Sequence, residues 1–329
     1  MINVWMPVFN EETHLLSAIN SVLNQSYEDF NLLISNNHST DSSLSIVNES
    51  AKHDSRIRVF EPPKHLSSLE HIKFMSNDIL SIQSSRRYSI FIGGHDIWDK
   101  DLLKVLISRS EKEPNSAIVY TDSWRIGHSG ELISRYEGIF QTQEVSRPFI
   151  PLQVLTSLTF NLVWGGLWRE SARKLVQLRH NCSSADHLML AEIALHGSIL
   201  YQTGSAVYLR DATNAGEWAT YVTKHIPENI RQHPILDFIN QLEWCDYLIE
   251  KAVAGSEFSS DPLKSSLKNS LFSAYIFRYY HSLKGHAGGL EAFFGNPRVQ
   301  DYLSSENLSN AFIIELINSR QKNFPTLEV

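Results

Sequence analysis

The sequence predicts an α/β protein: a doubly wound, mostly parallel sheet followed by a helical C-terminal region. Three observations carry this. Strand-like and helix-like runs alternate from Ile2 to Tyr120, an order that calls for parallel strands joined by right-handed crossovers. The segments leaving the strands are polar. Beyond residue 213 the pattern becomes mostly helical and rich in aromatic residues.

Ile2–Met6 reads as the first strand, stopped by Pro7. Asn10 can N-cap the first helix, and Glu11 and Glu12 suit the positive end of that helix. Leu15, Leu16, Ile19, Val22 and Leu23 recur at helical spacing and predict an amphipathic helix over 11–24. Phe30–Ile34 is a buried strand, and a helix carrying Leu44, Ile46 and Val47 starts at Ser39 or Thr40. Arg56–Phe60 is a third strand, ended by Pro62-Pro63, and a polar-rich helix runs from Ser67 to Ile82. Tyr88–Ile92 is the fourth strand and enters Gly93-Gly94-His95-Asp96. A helix over 100–110 and the strand Ala117–Tyr120 complete the series. Residues 150–210 mix helices with short strands, including Ser198–Tyr201 and Ala206–Leu209. In the tail, Leu271, Tyr275, Ile276, Tyr279 and Tyr280 fall at helical spacing, read as core or a helix–helix interface. The expected division is 1–212 for the α/β domain and 213–329 for the helical region.

Composition narrows the function. The chain has 329 residues, 42% hydrophobic and 20% charged, enough apolar material for a large core. At roughly 150 residues per domain, two domains are expected. A net charge of −7 argues against nucleic acid as a partner, because phosphate binding needs a basic excess. Cys182 and Cys245 are too few for a disulfide framework, which suits a reducing compartment. Met1 leads at once into a strand, with no basic leader region, and no apolar run approaches the ~20 residues that span a bilayer. A soluble protein is expected, with a membrane-surface role as a minority reading, since Lys and Arg are sparse in the tail.

The usual occupants of a doubly wound sheet are missing. No Gly-x-Gly-x-x-Gly follows the first strand, and no Gly-x-x-x-x-Gly-Lys-Ser/Thr or Gly-x-Ser-x-Gly occurs. Ligands of such sheets bind beyond the carboxyl ends of the strands, which selects Pro7–Asn10, Ser35–Asp41 and Gly93–Asp96.

Four motifs occur in order: Pro7-Val8-Phe9-Asn10-Glu11-Glu12, then Ser21 to Tyr27 with Gln25, then Ser35-Asn36-Asn37-His38-Ser39-Thr40-Asp41, then Ile92-Gly93-Gly94-His95-Asp96. Together they resemble the family 2 glycosyltransferases, inverting enzymes of the GT-A fold, over residues 1–210. The resemblance implies a nucleotide-sugar donor, most simply UDP-linked, and a glycan or lipid-linked glycan acceptor. It implies Pro7, Phe9, Asn10, Glu11, Asn36, Asp41, Gly94, His95 and Asp96 on the donor side. Pro7, Phe9 and Asn10 would shape the base pocket. Asp96 would be the acidic ligand of Mn²⁺ or Mg²⁺, with His95 as a second ligand or a ribose or phosphate contact. The alternatives are a helix N-cap for Asp96, a polar loop residue for His95 and a first-turn helix carboxylate for Asp41. Two positions depart from the family pattern: Gly94 and Asn36 stand where acids are expected. A non-catalytic relative that binds a nucleotide or a glycan is therefore the alternative function. A nucleotidyltransferase would want a glycine-rich basic loop after the first strand, which Pro7–Glu12 is not.

The inverting general base of the family is an acid at the start of a later helix. Here the matching stretch is Ser183-Ser184-Ala185-Asp186-His187-Leu188, with Asp186 as the base and His187 as its neighbour on the acceptor side. An N-terminal helix carboxylate is the plainer role for Asp186. Gly165-Gly166 matches the family's acceptor-side glycines, and Trp164 stacks on a sugar ring or fills the core. The resemblance also implies a basic phosphate contact between the third and fourth strands, for which Lys64 and Lys73 are candidates. It implies too a loop after the last strand that closes over the donor and supplies a phosphate contact or metal ligand, for which Arg210 and His225 are candidates. The implied setting is assembly of a bacterial surface polysaccharide or lipopolysaccharide, in the cytoplasm or at the inner face of the membrane, with homo-oligomerisation through the tail as an option.

Overall fold

The computed structural model describes residues 2–79, 86–157, 161–177, 182, 185–210, 234–278 and 295–305. The chain forms two compact units that interleave in sequence: residues 1–144, 160–178 and 196–227 make the first, and 145–159, 179–195 and 228–329 the second. The boundary expected near 213 lies outside the described residues, as do His225, Tyr279, Tyr280 and the Ser183-Ser184 pair.

The first unit is built on β1 (Ile2–Val8), α1 (Leu15–Leu23), β2 (Phe30–Asn36), α2 (Ser43–His53), β3 (Ile57–Phe60), α3 (Ser68–Lys73), β4 (Tyr88–Phe91), β5 (Ile97–Trp98), α4 (Leu102–Lys112), β6 (Ser116–Ile126), β7 (Leu132–Arg135), β8 (Leu167–Arg169) and β9 (Ser198–Arg210). The strands lie in the order β3-β2-β1-β4-β8-β6-β9-β5, with β7 paired to β6. β1, β2, β3 and β4 are mutually parallel, as the alternation predicts. β1 and β2 are buried nearly throughout, which is why they read as apolar runs rather than alternating ones. α1 covers them with Leu15, Ala18, Ile19 and Val22, all fully buried.

Several boundaries move for identifiable reasons. Asn10 is not an N-cap: its backbone is left-handed, at φ 55°, and its Oδ1 accepts from the Thr40 N–H at 2.8 Å. The Glu11 carbonyl accepts from the N–H groups of His14 and Leu15, closing a turn over 12–14, and α1 runs from Leu15 rather than residue 11. α2 begins at Ser43, after Ser42, rather than at Ser39 or Thr40. In the helix expected over Ser67–Ile82, a Ser67/Glu70 capping box opens α3, which passes into a π-helical turn over Phe74–Ile79; residues 80–82 lie outside the described residues. Ser198–Tyr201 and Ala206–Leu209 are one strand, β9, with a register shift and Gly204 at φ 101° between the two stretches. β8, only three residues long, is antiparallel to β4 and β6, so the sheet is mixed. Gly166 leads into it because a Cβ there would meet Ile118 Cγ2 at 2.7 Å and the Val119 carbonyl at 2.9 Å.

The second unit is helical: α5 (Ile150–Ser157), α6 (Ala185–Ala194), α7 (Pro234–Val253), α8 (Asp261–Arg278) and α9 (Pro297–Ser305). The tail helix α7 packs against α5 and α6. Phe238, Leu242, Trp244, Leu248 and Ile249 are buried, so its apolar spacing is core. The buried Glu192 of α6 accepts from Trp244 Nε1 at 3.2 Å and from Tyr247 Oη at 3.3 Å, which offsets the cost of burying the carboxylate. Among the described residues no helix is long and apolar enough to cross a membrane.

Candidate active site

A cavity of about 250 Å³ lies at the carboxyl ends of β1 and β4. Pro7 and Gly93 line it from these strand ends, Ser123 from β6, and Val207 and Leu209 from β9. Trp164 and Gly165 close it from the segment before β8. Asp96 and Ser123 are the polar side chains among its described lining residues. Parallel strands exposing their carboxyl ends make this crevice the natural ligand site of the sheet.

Asp96 is set into the wall, its side chain 13% exposed. Its Oδ1 accepts from the Arg210 N–H at 3.0 Å. Burial raises its pKa, partly offset by the nearby His95 and by backbone N–H groups. Gly93 makes room for the carboxylate, since a Cβ there would lie 2.7 Å from Asp96 Oδ2. His95 sits between two acids: its Nδ1 is 3.0 Å from Glu11 Oε2 and its Nε2 is 3.7 Å from Asp96 Oδ1.

The missing acid at 94 has a steric counterpart. A Cβ on Gly94 would meet Glu11 Cγ at 3.0 Å and Glu11 Cβ at 3.2 Å. Glu11 crosses over this glycine to reach His95, so the loop after β1 brings a carboxylate beside position 94. The motif pattern places Glu11 on the donor side but not in this pair, because 84 residues separate the partners.

The other donor-side candidates divide. Pro7 lines the cavity. Phe9 stacks at a tilt on His65, with ring centroids 4.6 Å apart. Asn10 and Asp41 are spent on loop structure. Asp41 accepts from Ser43 N–H at 2.9 Å and from Glu12 N–H at 3.0 Å, which holds its pKa below the usual carboxylate range against the opposing effect of burial. Asn36, at the end of β2, is buried; its Nδ2 donates to Glu61 Oε1 at 2.8 Å, and its Oδ1 has no hydrogen-bond partner among the described residues. Lys64 and Lys73 do not line the cavity. Trp164 lines it and also packs on Phe91 and Trp168, at 5.4 and 5.2 Å between ring centroids, so it belongs to the cavity wall and to the core at once. Gly165 faces open space, whereas Gly166 is packed on β6.

Gln25, from the second motif, is structural. Its Nε2 donates to the Asp99 carbonyl at 2.7 Å, and its Oε1 accepts from the Leu103 N–H at 3.0 Å. With the Ser26 N–H on the Lys100 carbonyl, this staples the end of α1 to the segment just after Asp96. Beside Asn36, the buried His71 meets Ser35 Oγ at 2.7 Å. Burial, with a smaller contribution from His65, lowers its pKa from 6.5 to about 4. The unfolded chain therefore takes up this proton first. Stability is full above pH 6.5 and falls as the pH drops toward 4, by about 3 kcal/mol for this group. Urea titrations of wild type and His71→Gln between pH 7 and pH 4 check this: wild type should show the steeper loss, and equal slopes would refute it.

In the second unit, Asp186 occupies the first turn of α6, its side chain 40% exposed. Its Oδ1 accepts from the His187 N–H at 2.8 Å and lies 3.1 Å from His187 Nδ1. An acid at this end of a helix is favoured by the dipole, and a partly exposed carboxylate beside an imidazole can also take a proton.

Among the described residues, no three His, Cys, Asp or Glu side chains are grouped to hold a metal ion. A hard divalent cation at a phosphate site needs less, since one or two carboxylates, substrate oxygens and water complete its shell. Asp96, with Glu11 and His95 beside it, fits that requirement.

The mixed α/β sheet, with its crevice at the carboxyl ends of the parallel strands, is of the GT-A type, the fold it shares with its structural neighbours. Residues 3–157 match the family described as glycosyl transferase family 2. An uncharacterized glycosyltransferase of Haemophilus influenzae is 40% identical over 63 residues, 19% of this chain and 25% of the relative. The glycosyltransferase GlyA of Streptococcus pneumoniae serotype 4 is 24% identical over 185 residues, 54% of this chain and 25% of the relative. The matched stretches thus span a quarter of those relatives. Among solved structures, S. aureus TarS 1–349 in complex with UDP superposes with a TM-score of 0.57 at 14% identity, covering 98% of this chain and 84% of that one.

Proposed function

We propose that the chain is an inverting glycosyltransferase that moves a sugar from a nucleotide-diphosphate donor, most simply UDP-linked, to a hydroxyl of a glycan in surface-polysaccharide or lipopolysaccharide synthesis. The observation that carries the reading is Asp96, a recessed carboxylate lining the cavity at the sheet's carboxyl rim. The UDP complex of TarS, a protein of like fold, supports the donor class.

Asp96 would hold a divalent cation with Glu11 and His95 at its flank; such a cation, when bound, neutralises charge on the leaving diphosphate as a Lewis acid. Trp164 offers an aromatic face to a sugar ring. Asp186 accepts the proton of the acceptor hydroxyl as that oxygen bonds to the anomeric carbon. The anomeric carbon–phosphate oxygen bond breaks with its electrons on the nucleoside diphosphate, and configuration inverts. His187, against Asp186 Oδ1, orients the base.

Calorimetry with UDP, with and without Mn²⁺, tests the reading, followed by thermal-shift screening of nucleotide sugars, where a bound donor raises the melting temperature by mass action. UDP binding strengthened by Mn²⁺, with one nucleotide sugar turned over, is the expected result. Binding without turnover on any sugar would favour a non-catalytic relative, and no UDP binding would refute the proposal.

A further inference from the structure

Arg210, the last residue of β9, directs its donors at two other segments. Its backbone N–H reaches Asp96 Oδ1 at 3.0 Å, and its Nε donates to the His95 carbonyl at 3.0 Å. Its Nη1 donates to the carbonyls of Gly127 and His128, at 2.7 and 2.8 Å. One guanidinium therefore ties the Gly93–Asp96 turn to the hairpin between β6 and β7. That hairpin is braced internally by the Gly127 N–H on the Glu131 carbonyl, at 2.8 Å. It is braced externally by His128 Nδ1 against His14 Nε2, 3.2 Å apart, at the start of α1. From the other side, Glu11 holds His95. Segments from residues 11–14, 93–96 and 127–131 thus meet around a residue 114 positions from Asp96.

We infer that Arg210 is a positioning residue, whose planar fork locks the Gly93–Asp96 turn against the β6–β7 hairpin and so fixes the Asp96 carboxylate in the cavity wall. A phosphate contact, the role its place in sequence suggests, would need the guanidinium turned toward the ligand. Here it is engaged by three backbone carbonyls on two segments. Only a fork spans acceptors so disposed; an ammonium is a point donor on a flexible stem. The Asp96 carboxylate is recessed, 13% exposed, so its position depends on fixed donors. The consequence for catalysis rests on the function proposed above.

Two measurements on the full chain test this. The first is hydrogen–deuterium exchange without ligand on wild type, Arg210→Lys and Arg210→Gln. Both variants should speed exchange about tenfold in peptides covering 93–98 and 127–131, and leave the rest of the first unit unchanged. The second is UDP calorimetry with and without Mn²⁺. The metal-free Kd should stay within about twofold, while the tightening caused by Mn²⁺ should shrink about tenfold in both variants, because a carboxylate misplaced by an ångström loses most of its effect. Unchanged exchange in the two segments would overturn the inference, as would a general rise across the unit, which would make Arg210 a residue of overall stability. A weaker metal-free Kd in Arg210→Gln restored in Arg210→Lys would also overturn it, making Arg210 a phosphate contact. If wild type binds no UDP, the proposed function fails while the exchange result still decides the lock. If Arg210→Gln loses its cooperative melt, Arg210→Lys decides alone.

Discussion

Asp186→Asn should bind UDP as wild type does and transfer almost no sugar. The asparagine keeps the size of the side chain, and its Oδ1 can still accept from the His187 N–H that the aspartate engages at 2.8 Å. It cannot accept a proton at neutral pH. Loss of a general base costs typically 10²–10⁴ in rate, so kcat should fall by about that factor. Affinity for the nucleotide should hold, because the cavity residues assigned to the donor belong to the first unit and Asp186 to the second. The stability cost should be small, since a first-turn helix carboxylate contributes only about 0.3–1 kcal/mol through the dipole. The check is steady-state turnover of the nucleotide sugar identified by thermal shift, beside the Kd for UDP and the melting temperature. A wild-type rate would remove Asp186 from the mechanism. A rate loss matched by a large fall in melting temperature would reduce it to an ordinary helix-end carboxylate.

How much of the fold is legible in the sequence depends on range. β1, α1 and β2 are legible because strands buried on both faces give continuous apolar runs, and α1 buries one stripe at helical spacing. Strand β8 is not, because three residues carry no period. The start of α1 is misread because Asn10, a good cap by residue type, is drawn instead to Thr40 of the next loop. The site obeys the same rule. Residues inside short motifs, such as Pro7 and Asp96, can be named because the motifs that carry the family resemblance are local, and both line the cavity. The contacts that set their chemistry join distant segments: Glu11 to His95 across 84 residues, and Arg210 to Asp96 across 114. No local pattern encodes such pairs, and only the packed sheet brings them together. The empty side chain at 94 shows the limit well. In sequence it reads as a lost acid, and in space it is the floor over which Glu11 passes.

Asp96→Asn should separate function from stability in opposite directions. Burial works against the ionised carboxylate and raises its pKa, so in the folded state the charge at this position is a cost that neighbouring dipoles only partly offset. Asparagine has nearly the same volume, keeps an oxygen for the Arg210 N–H, and removes that charge. The melting temperature should therefore hold or rise. The same change takes away the carboxylate that would hold a divalent cation against the diphosphate. The strengthening of UDP binding by Mn²⁺ should disappear, and turnover should fall about 10²–10³-fold, the usual cost of removing one charge-stabilising group from a transition state. Gly93→Ala approaches the same carboxylate from the other side, because the added Cβ would lie 2.7 Å from Asp96 Oδ2 and must displace it. It should reproduce the loss of Mn²⁺-dependent binding with no change of charge, as expected if the position of the acid matters as much as its presence. A fall in melting temperature for Asp96→Asn without any change in metal-dependent UDP affinity would assign Asp96 to the architecture of the rim and leave the leaving group to be stabilised elsewhere.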